Sequence, residues 1–446
     1  MTEKESKAVT IGIVGFGTVG SGTFKILQEN RELIRKRVGC DIIIKGIADI
    51  DITRDRGFPV GSSLLTKDYR ELIDNPDIDI IVETVGGIDE AKKIILSAID
   101  KGKSVVTANK ALLAEEGDEI FSMAFERGVD VNFEASVGGG IPIIRTLKEG
   151  LVGDDIEYIF GITNGTTNYI LTRMTGDGMS FDEALKGAQS LGYAEADPTL
   201  DISGYDSAHK LSIIIPLTYG VKVDLADIYV EGIENVDSLD IRFAADLGYK
   251  IKLLSILIKT PNGIEARVHP TMIPYRYLLS NVNFNMNAFY IRGKAVGSIL
   301  LYGQGAGMMP TGTAIVSDII ELARNVVAEI RERVPPLSFG QGAIVRIKPK
   351  PIDEIVSNYY LRFSALDKPG VLSKVSGILA KHAISIASVI QKGRAKGDQD
   401  VPIVMMTHEA REKNVRLALS EVDSLDVISK PSILYRVEDV AMKGGS

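Results

Sequence analysis

AVTIGIVGFGTVG, Ala8 to Gly20, decides the fold. An apolar run ends in Gly15, Gly17 and Gly20, spaced G-x-G-x-x-G, and a helical pattern follows directly. Glycines at these positions permit a tight strand-to-helix turn and let backbone N–H groups approach a pyrophosphate at the helix N-terminus. The spacing alone is weak, but the context is right on both sides, so the stretch Gly15, Phe16, Gly17, Thr18, Val19, Gly20 reads as a dinucleotide loop. Outward from it, apolar runs at Ala8–Val14, Asp41–Ala48, Asp79–Thr84, Ser104–Ala108 and Val129–Phe133 alternate with helical patterns such as Gly20–Arg37 and Asp89–Lys101. That rhythm predicts a parallel sheet covered on both faces.

Beyond residue 140 the pattern changes. Helical periodicity falls at Thr166–Met174, Ser180–Leu191 and Tyr205–Leu217, and strand-like runs at Ile228–Gly232, Lys252–Lys259, Ile264–Val268, Ala288–Arg292 and Val296–Tyr302. Segregated helices and strands predict an α+β domain. Residues 310–333 read as one long helix opening at a proline. Pro335, Pro336, Pro349 and Pro351 mark residues 334–355 as a linker. Residues 356–437 then run strand (Ser357–Ala365), helix (Val371–His382), strand (Ile384–Lys392), strand (Val401–Thr407), helix (Glu409–Ser420), strand (Ile433–Val437), a βαββαβ unit. The expected architecture is α/β: a Rossmann-type domain over 1–140 completed by the return helix 310–333, an α+β domain over 141–309, and a small βαββαβ domain over 356–437.

The chain has 446 residues, 45% hydrophobic and 25% charged, with net charge −8. The length suits about three domains, and the acidic balance argues against nucleic-acid binding. A single cysteine, Cys40, excludes an internal disulfide framework and a cysteine-based zinc site. No apolar run approaches the ~18 residues of a membrane span. The polar, acidic N-terminus does not read as a signal peptide. A cytoplasmic protein is expected.

The densest chemistry lies in LGYAEADPTLDISGYDSAHK, Leu191–Lys210, which holds Glu195, Asp197, Asp201, Asp206 and Lys210. Asp206 and Lys210 are four apart and share a face if helical. Four carboxylates with one lysine do not balance as a solvated ion-pair array. They suit gripping an ammonium, with Glu195 and Asp206 as the pair, Asp201 assisting, and Lys210 placed for a hydroxyl or carbonyl. His209 projects about 100° away on a helix and is expected to be structural. Lys110 follows the strand SVVTAN, and Thr84 and Gly86 end another, so all three fall at the carboxyl edge of the sheet, where ligands bind in such folds. Asp49, closing the second strand, could bond a ribose 2′-hydroxyl and favour NAD; Arg54 and Arg56 could hold a 2′-phosphate and favour NADP. Glu134 and the glycine-rich run Val137–Pro142 offer one carboxylate and many carbonyls, a set suited to a hard cation or to a hinge between domains. Thr163–Asn168 either lines a substrate cleft or caps a helix.

GFGTVG, ETVGG (Glu83–Gly87), TANK ending at Lys110, FEASVGGGIP (Phe133–Pro142), TNGTTNYIL (Thr163–Leu171), the 191–210 block and GQGAGMMPTG (Gly303–Gly312) together resemble homoserine dehydrogenases of the single-activity type with a C-terminal ACT domain. The resemblance implies NAD(P)-dependent interconversion of L-homoserine and L-aspartate 4-semialdehyde, in the biosynthesis of threonine, methionine and isoleucine. It implies cofactor contacts at Thr84, Gly86, Lys110, Gly192 and Gly307, with Lys110 and Lys210 at the reacting group and Gly192 beside the substrate. It also implies a sodium ion held by the Glu134 carboxylate and the carbonyls of Val137, Gly139 and Ile141. LDKPGVLSKVSGIL (Leu366–Leu379) resembles an ACT domain, which implies amino-acid sensing, with threonine the expected effector, and a homodimer or homotetramer. An aspartate-semialdehyde dehydrogenase would need a catalytic cysteine, and Cys40 lies before the second strand, far from the acidic block. A sensor with a dead enzyme body would not need Lys110, Lys210 and the dinucleotide loop. With that loop beginning at residue 15, no appended amino-acid kinase domain is expected.

Overall fold

The computed structural model describes residues 8–340, 342–391 and 400–439. Lys392, the last residue of one expected strand, and residues 1–7 of the expected first domain lie outside them. The chain forms two compact units. The first comprises residues up to Glu157 with His209–Leu225 and Met286–Ile347; the second comprises Tyr158–Ala208, Ala226–Asn285 and the described residues from Lys348 on.

In the first unit, β1 (Val9–Val14), α1 (Thr18–Glu29), α2 (Arg31–Val38), β2 (Ile42–Ala48), β3 (Leu65–Thr66), α3 (Arg70–Ile73), β4 (Ile80–Glu83), α4 (Asp89–Asp100), β5 (Ser104–Thr107), α5 (Lys110–Arg127) and β6 (Val131–Asn132) build a six-stranded sheet. Its order is β3-β2-β1-β4-β5-β6, and every pairing is parallel. The order reverses between β1 and β4, so a crevice opens outside their carboxyl ends, the usual place for a ligand in an open parallel sheet. The strands are nearly continuous apolar runs because both faces are covered. Ile11, Ile13, Ile80 and Val82 are fully buried. One cover is the helix Met308–Ala328, whose Ala314, Ile315, Ile319 and Leu322 join the same core as Phe24, Ile26 and Leu27 of α1. Gly22 and Gly312 allow this close approach: a Cβ on Gly312 would lie 2.9 Å from the Gly22 backbone.

The second unit carries one sheet through two functional regions. Strand Ile156–Ile162, from Tyr158 on, pairs with Tyr249–Thr260, which forms an antiparallel hairpin with Gly263–Pro274. The latter then pairs in parallel with Ile428–Val437 through Thr271–Arg436 and Met272–Val437. Val356–Leu366, Asp400–Thr407 and Ile386–Gln391 complete the βαββαβ unit, with helices Val371–Lys381 and Glu412–Asp423 on one face. Helices Val371–Lys381 and Glu412–Asp423 contribute Val375, Leu379, Val415 and Val422 to a separate core.

The α/β fold class expected from the sequence therefore holds, with differences in detail. The single helix expected over Gly20–Arg37 is two helices, broken at Asn30 (φ −102°, ψ 15°). Asparagine competes with helical backbone bonds and tolerates such a corner. The helix expected over 310–333 starts two residues earlier and stops at Ala328, because Glu329 is left-handed (φ 55°) and its N–H returns to Val326. The helix expected over Glu409–Ser420 is Glu412–Asp423, since Ala410–Arg411 pairs with Val356–Ser357.

Candidate active site

The turn between β1 and α1 is built as its glycines require. Gly15 has φ +96°, and a Cβ there would sit 2.6 Å from the Thr84 backbone. A Cβ on Gly20 would strike the Gly15 carbonyl, while one on Gly17 would meet nothing within 4 Å. Two glycines thus close the turn and the third leaves its open side clear for a ligand. Thr18 and Val19 begin α1, whose first turn holds no acidic residue to oppose an anion. A cavity of about 450 Å³ lies at this switch point, lined among others by Gly15, Gly17, Asp49, Lys67 and Thr84. Ile50, 91% exposed, is an apolar surface at its rim. Lys67 and Tyr69 line it without having been anticipated.

Asp49 serves the turn itself. It accepts the Phe16 N–H and the Asp51 N–H, the latter at 2.8 Å. Arg56 is likewise absorbed locally: it donates to the carbonyls of Phe16 (2.9 Å), Arg54 (2.7 Å) and Asp51 (2.6 Å), and its guanidinium lies over the Phe16 ring. Arg54 is exposed. Of the two arginines considered for a 2′-phosphate, Arg56 is a staple of the loop and Arg54 is the one left at the surface.

At the ends of β4 and β5, Glu83 is fully buried and accepts from Val85 N (2.7 Å), Gly86 N (3.2 Å) and Thr107 Oγ1 (2.6 Å). Burial pushes its carboxyl up, against those hydrogen bonds. Thr84 Oγ1 donates to the Gly15 carbonyl at 2.7 Å, tying the two turns together. Lys110 is the first residue of α5, whose N-cap Asn109 accepts the Leu112 N–H at 3.1 Å.

Glu134 is buried, and its carboxylate oxygens accept from Ile144 N (2.9 Å) and Arg145 N (2.8 Å). Its own N–H goes to Asp318 (2.8 Å), and Arg145 bonds Asp318 and Glu321. Burial pushes both the Glu134 and Asp318 carboxyls up, and Glu134 pushes Asp318 further. Left-handed Gly138 and Gly139 turn the chain sharply. Val137 and Ile141 put their side chains into the core, so only their carbonyls can face a ligand. Among the described residues, no group of three or more His, Cys, Asp or Glu could hold a metal. A cation at this turn would rest on carbonyls and the free lone pairs of Glu134. Arg145 and Lys148 both act on Glu134 and Asp318 against burial, so the charge balance demands no further cation; the carboxylate and carbonyl oxygens at the turn are the donor type that a hard monovalent cation takes.

In the second unit, Asn164 joins two of the expected acids. Its Nδ2 donates to Asp201 and to Asp206, both at 2.7 Å, while its Oδ1 caps the helix Gly165–Asp177 by accepting Thr167 N at 2.8 Å. Capping and lining were alternatives in the sequence; one side chain does the first and orders the acids as well. Asp206 is buried on the helix Tyr205–Tyr219, and Lys210, also buried, follows one turn later. His209 is buried and its Nε2 lies 4.0 Å from Glu115. Glu195 is exposed on the loop before Thr199, and Gly192 is exposed with φ +71°, a conformation that favours glycine. Gly307, φ +135°, precedes the helix Met308–Ala328.

Family comparisons agree with these features. The family described as "Homoserine dehydrogenase, NAD binding domain" matches residues 15–134, "Homoserine dehydrogenase" matches 142–320, and "ACT domain" matches 359–427. The homoserine dehydrogenase of Neisseria gonorrhoeae is 45% identical over 434 residues, covering 97% of this chain and 99% of that one. The chain belongs to the homoserine dehydrogenase family. The Pseudomonas aeruginosa homoserine dehydrogenase is 44% identical over 437 residues, 97% of this chain and all of its own. The crystal structure of a homoserine dehydrogenase from Thiobacillus denitrificans superposes with TM-score 0.92 at 43% identity, covering 97% of this chain and 99% of its own. A hyperthermophilic archaeal homoserine dehydrogenase, solved in complex with NADPH, gives TM-score 0.59 at 29% identity over 71% of this chain and 97% of its own.

As a homoserine dehydrogenase the chain is an oxidoreductase with a nicotinamide-binding domain, and its substrates are those the family name implies. Cys40 is fully buried in the core of that domain, where burial also pushes its thiol up, so it is no nucleophile. Sequence reasoning missed Glu83 and Lys252, and it took Asn164 only as part of the Thr163–Asn168 stretch without its link to Asp201 and Asp206. Lys252 is buried with its ammonium on Asn168 Oδ1 (2.9 Å) and the Val282 carbonyl (2.6 Å). Burial lowers its pKa to about 7.

Proposed function

We propose that the chain interconverts L-homoserine and L-aspartate 4-semialdehyde with NAD(P), in threonine, methionine and isoleucine biosynthesis, and that residues 191–210 hold the amino acid. The observation that carries the substrate assignment is the Asn164 bridge. It sets two carboxylates, Asp201 and Asp206, at one amide, an arrangement that attracts a cation such as the substrate ammonium. Glu195 closes on the same ammonium from its exposed loop, with Gly192 beside the substrate. The division of labour follows the expected domains: 1–140 with its return helix for the nucleotide, 141–309 for the substrate, 334–355 as linker and 356–437 for regulation.

The cofactor would be held by Gly15, Phe16, Gly17, Thr18, Val19 and Gly20, with Asp49 or Arg54 at the ribose and Thr84, Gly86, Gly192 and Gly307 toward the nicotinamide. The bound nicotinamide supplies the hydride acceptor. The protein orients C4 and handles the proton. Lys210 or Lys110 takes the hydroxyl proton during oxidation and returns it to the alkoxide in the reverse direction. A sodium ion at Glu134 and the carbonyls of Val137, Gly139 and Ile141 would stiffen the turn that follows the nucleotide domain. The ACT domain senses an amino acid, threonine foremost. The parallel step between Thr271 and Arg436 gives it a direct backbone link to the hairpin strand Gly263–Pro274. We further propose a cytoplasmic homodimer or homotetramer; no described helix is long and apolar enough to cross a membrane.

The test is a spectrophotometric assay with homoserine and each nicotinamide. Acid–base assistance is worth about 10²–10⁴-fold, so Lys210→Ala and Lys110→Ala should each lower kcat by about that factor while nucleotide binding persists. Near-normal turnover in both would defeat the assignment. The NAD to NADP ratio of kcat/KM separates Asp49 from Arg54, and a strong NADP preference removes Asp49 from the ribose. Rates insensitive to the identity of the alkali cation would remove sodium, and rates flat in threonine would leave the ACT domain with assembly alone.

A further inference from the structure

A carboxylate buried without a cation is costly to keep, yet Glu83 is completely enclosed and its three hydrogen-bond donors are two amides and a hydroxyl. The groups it joins form a closed ring. Glu83 Oε1 takes the N–H groups of Val85 and Gly86, inside a turn whose Gly86 and Gly87 are both left-handed. Glu83 Oε2 takes the Thr107 hydroxyl, and the same Thr107 oxygen accepts Asn109 N at 3.0 Å. Asn109 returns to the turn through Nδ2, which donates to the Gly87 carbonyl, and its Oδ1 caps α5 at Leu112. Lys110 is the next residue. A turn containing two left-handed glycines has little stiffness of its own. Here Glu83 pins one side of it and Asn109 the other, and Thr107 locks the two pins together.

We propose that Glu83 is a positioning residue: through Thr107 and Asn109 it fixes the 84–87 turn and the N-terminus of the helix that bears Lys110 as a single piece, so that Lys110 keeps its register with whatever the turn holds. The proposal rests on the reading of Lys110 as a group at the reacting atoms. It assigns Glu83 no proton transfer. A local misplacement of about 1 Å can cost as much as 10²-fold in rate, so loosening this ring acts on turnover through Lys110.

The experiment is a double-mutant cycle on the full-length enzyme with homoserine and nicotinamide. Thr107→Val is isosteric and removes only the hydroxyl. It should lower kcat by about tenfold. In a Lys110→Ala background the same substitution should cost less than about twofold, because the group it positions is gone. Glu83→Gln should recover most of the activity that Glu83→Ala loses, since the Gln oxygen still accepts the two turn amides and its NH₂ can donate to Thr107. If Thr107→Val does not fold, Asn109→Ser keeps a capping oxygen, severs the Gly87 contact and enters the same cycle. If Lys110→Ala leaves kcat unchanged, the reading of Lys110 fails and the proposal with it. If Lys110→Ala lowers kcat but Thr107→Val does not, or the two losses multiply independently, the positioning role alone is overturned.

Discussion

The β1–α1 turn and the acid cluster around Asn164, proposed to hold the nucleotide and the amino acid, are built by opposite means. The turn is built through backbone: glycines at 15, 17 and 20 shape it, and the side chains nearby, Asp49 and Arg56, bond Phe16 and hold the loop in place. The cluster works through side chains, and its parts come from positions 37 and 42 residues apart from Asn164. A site made of backbone is specified by local spacing and has no room for a Cβ where its own chain closes, at Gly15 and Gly20. A site made of side chains tolerates small local changes and fails when its organiser is lost.

The largest effect that separates the two should come from Gly20→Val. The new Cβ and its methyls would strike the Gly15 carbonyl. Overpacking costs about 1–3 kcal/mol, so nucleotide affinity should fall by about 10- to 100-fold, read by nicotinamide fluorescence, with homoserine KM at saturating nucleotide changed far less. Equal losses for both ligands would erase the distinction between the regions. Asn164→Ala should do the converse. It removes two donors to carboxylates, bonds of about 1.5–3 kcal/mol in general, and should raise homoserine KM by about tenfold or more while nucleotide KM holds. It also removes a helix cap worth about 1 kcal/mol, which a thermal melt would read separately.

These two regions also differ in how much of them the sequence exposes. The turn is legible because its signal is confined to a few residues, an apolar strand before and a helix after. Asp206 and Lys210 are legible because a helix puts i and i+4 on one face. Asn164 is not, since nothing near it in the chain announces Asp201 or Asp206, and its neighbours spell an ordinary helix cap as readily. Glu83 sits at the end of an apolar strand where a carboxylate is equally at home in solvent; only the fold encloses it. The break at Asn30 escapes notice because the charged helical pattern continues on both sides. The true start at Glu412 escapes because the two-residue pairing of Ala410–Arg411 with Val356–Ser357 is a tertiary event. Lys252 carries no signal, being one lysine in a strand pattern whose burial depends on the hairpin and on the chain near Val282.

The smallest effect sharpens the same comparison through Lys252, which contacts Asn168 on the helix that Asn164 caps. Its folded pKa of about 7 lies well below the ~10.4 of an unfolded lysine. Between those values the unfolded chain binds one more proton, so this residue makes stability rise with pH across about 7 to 10. Lys252→Met removes that slope. The melting temperature of the variant minus that of the parent should therefore decrease as pH rises from 7 to 10. A difference independent of pH would mean that Lys252 stays charged in the fold.

The claim that the 191–210 block grips an ammonium is tested most directly by substrate discrimination. The measurement is the ratio of kcat/KM for L-homoserine to that for 4-hydroxybutanoate, its analogue without the amino group, in the parent enzyme and in Asp206→Asn. The account predicts a ratio well above one in the parent that falls by about tenfold or more in the variant, a charge-assisted bond being worth about 1.5–3 kcal/mol, because only homoserine loses a partner. An unchanged ratio would contradict it and place the amino group elsewhere.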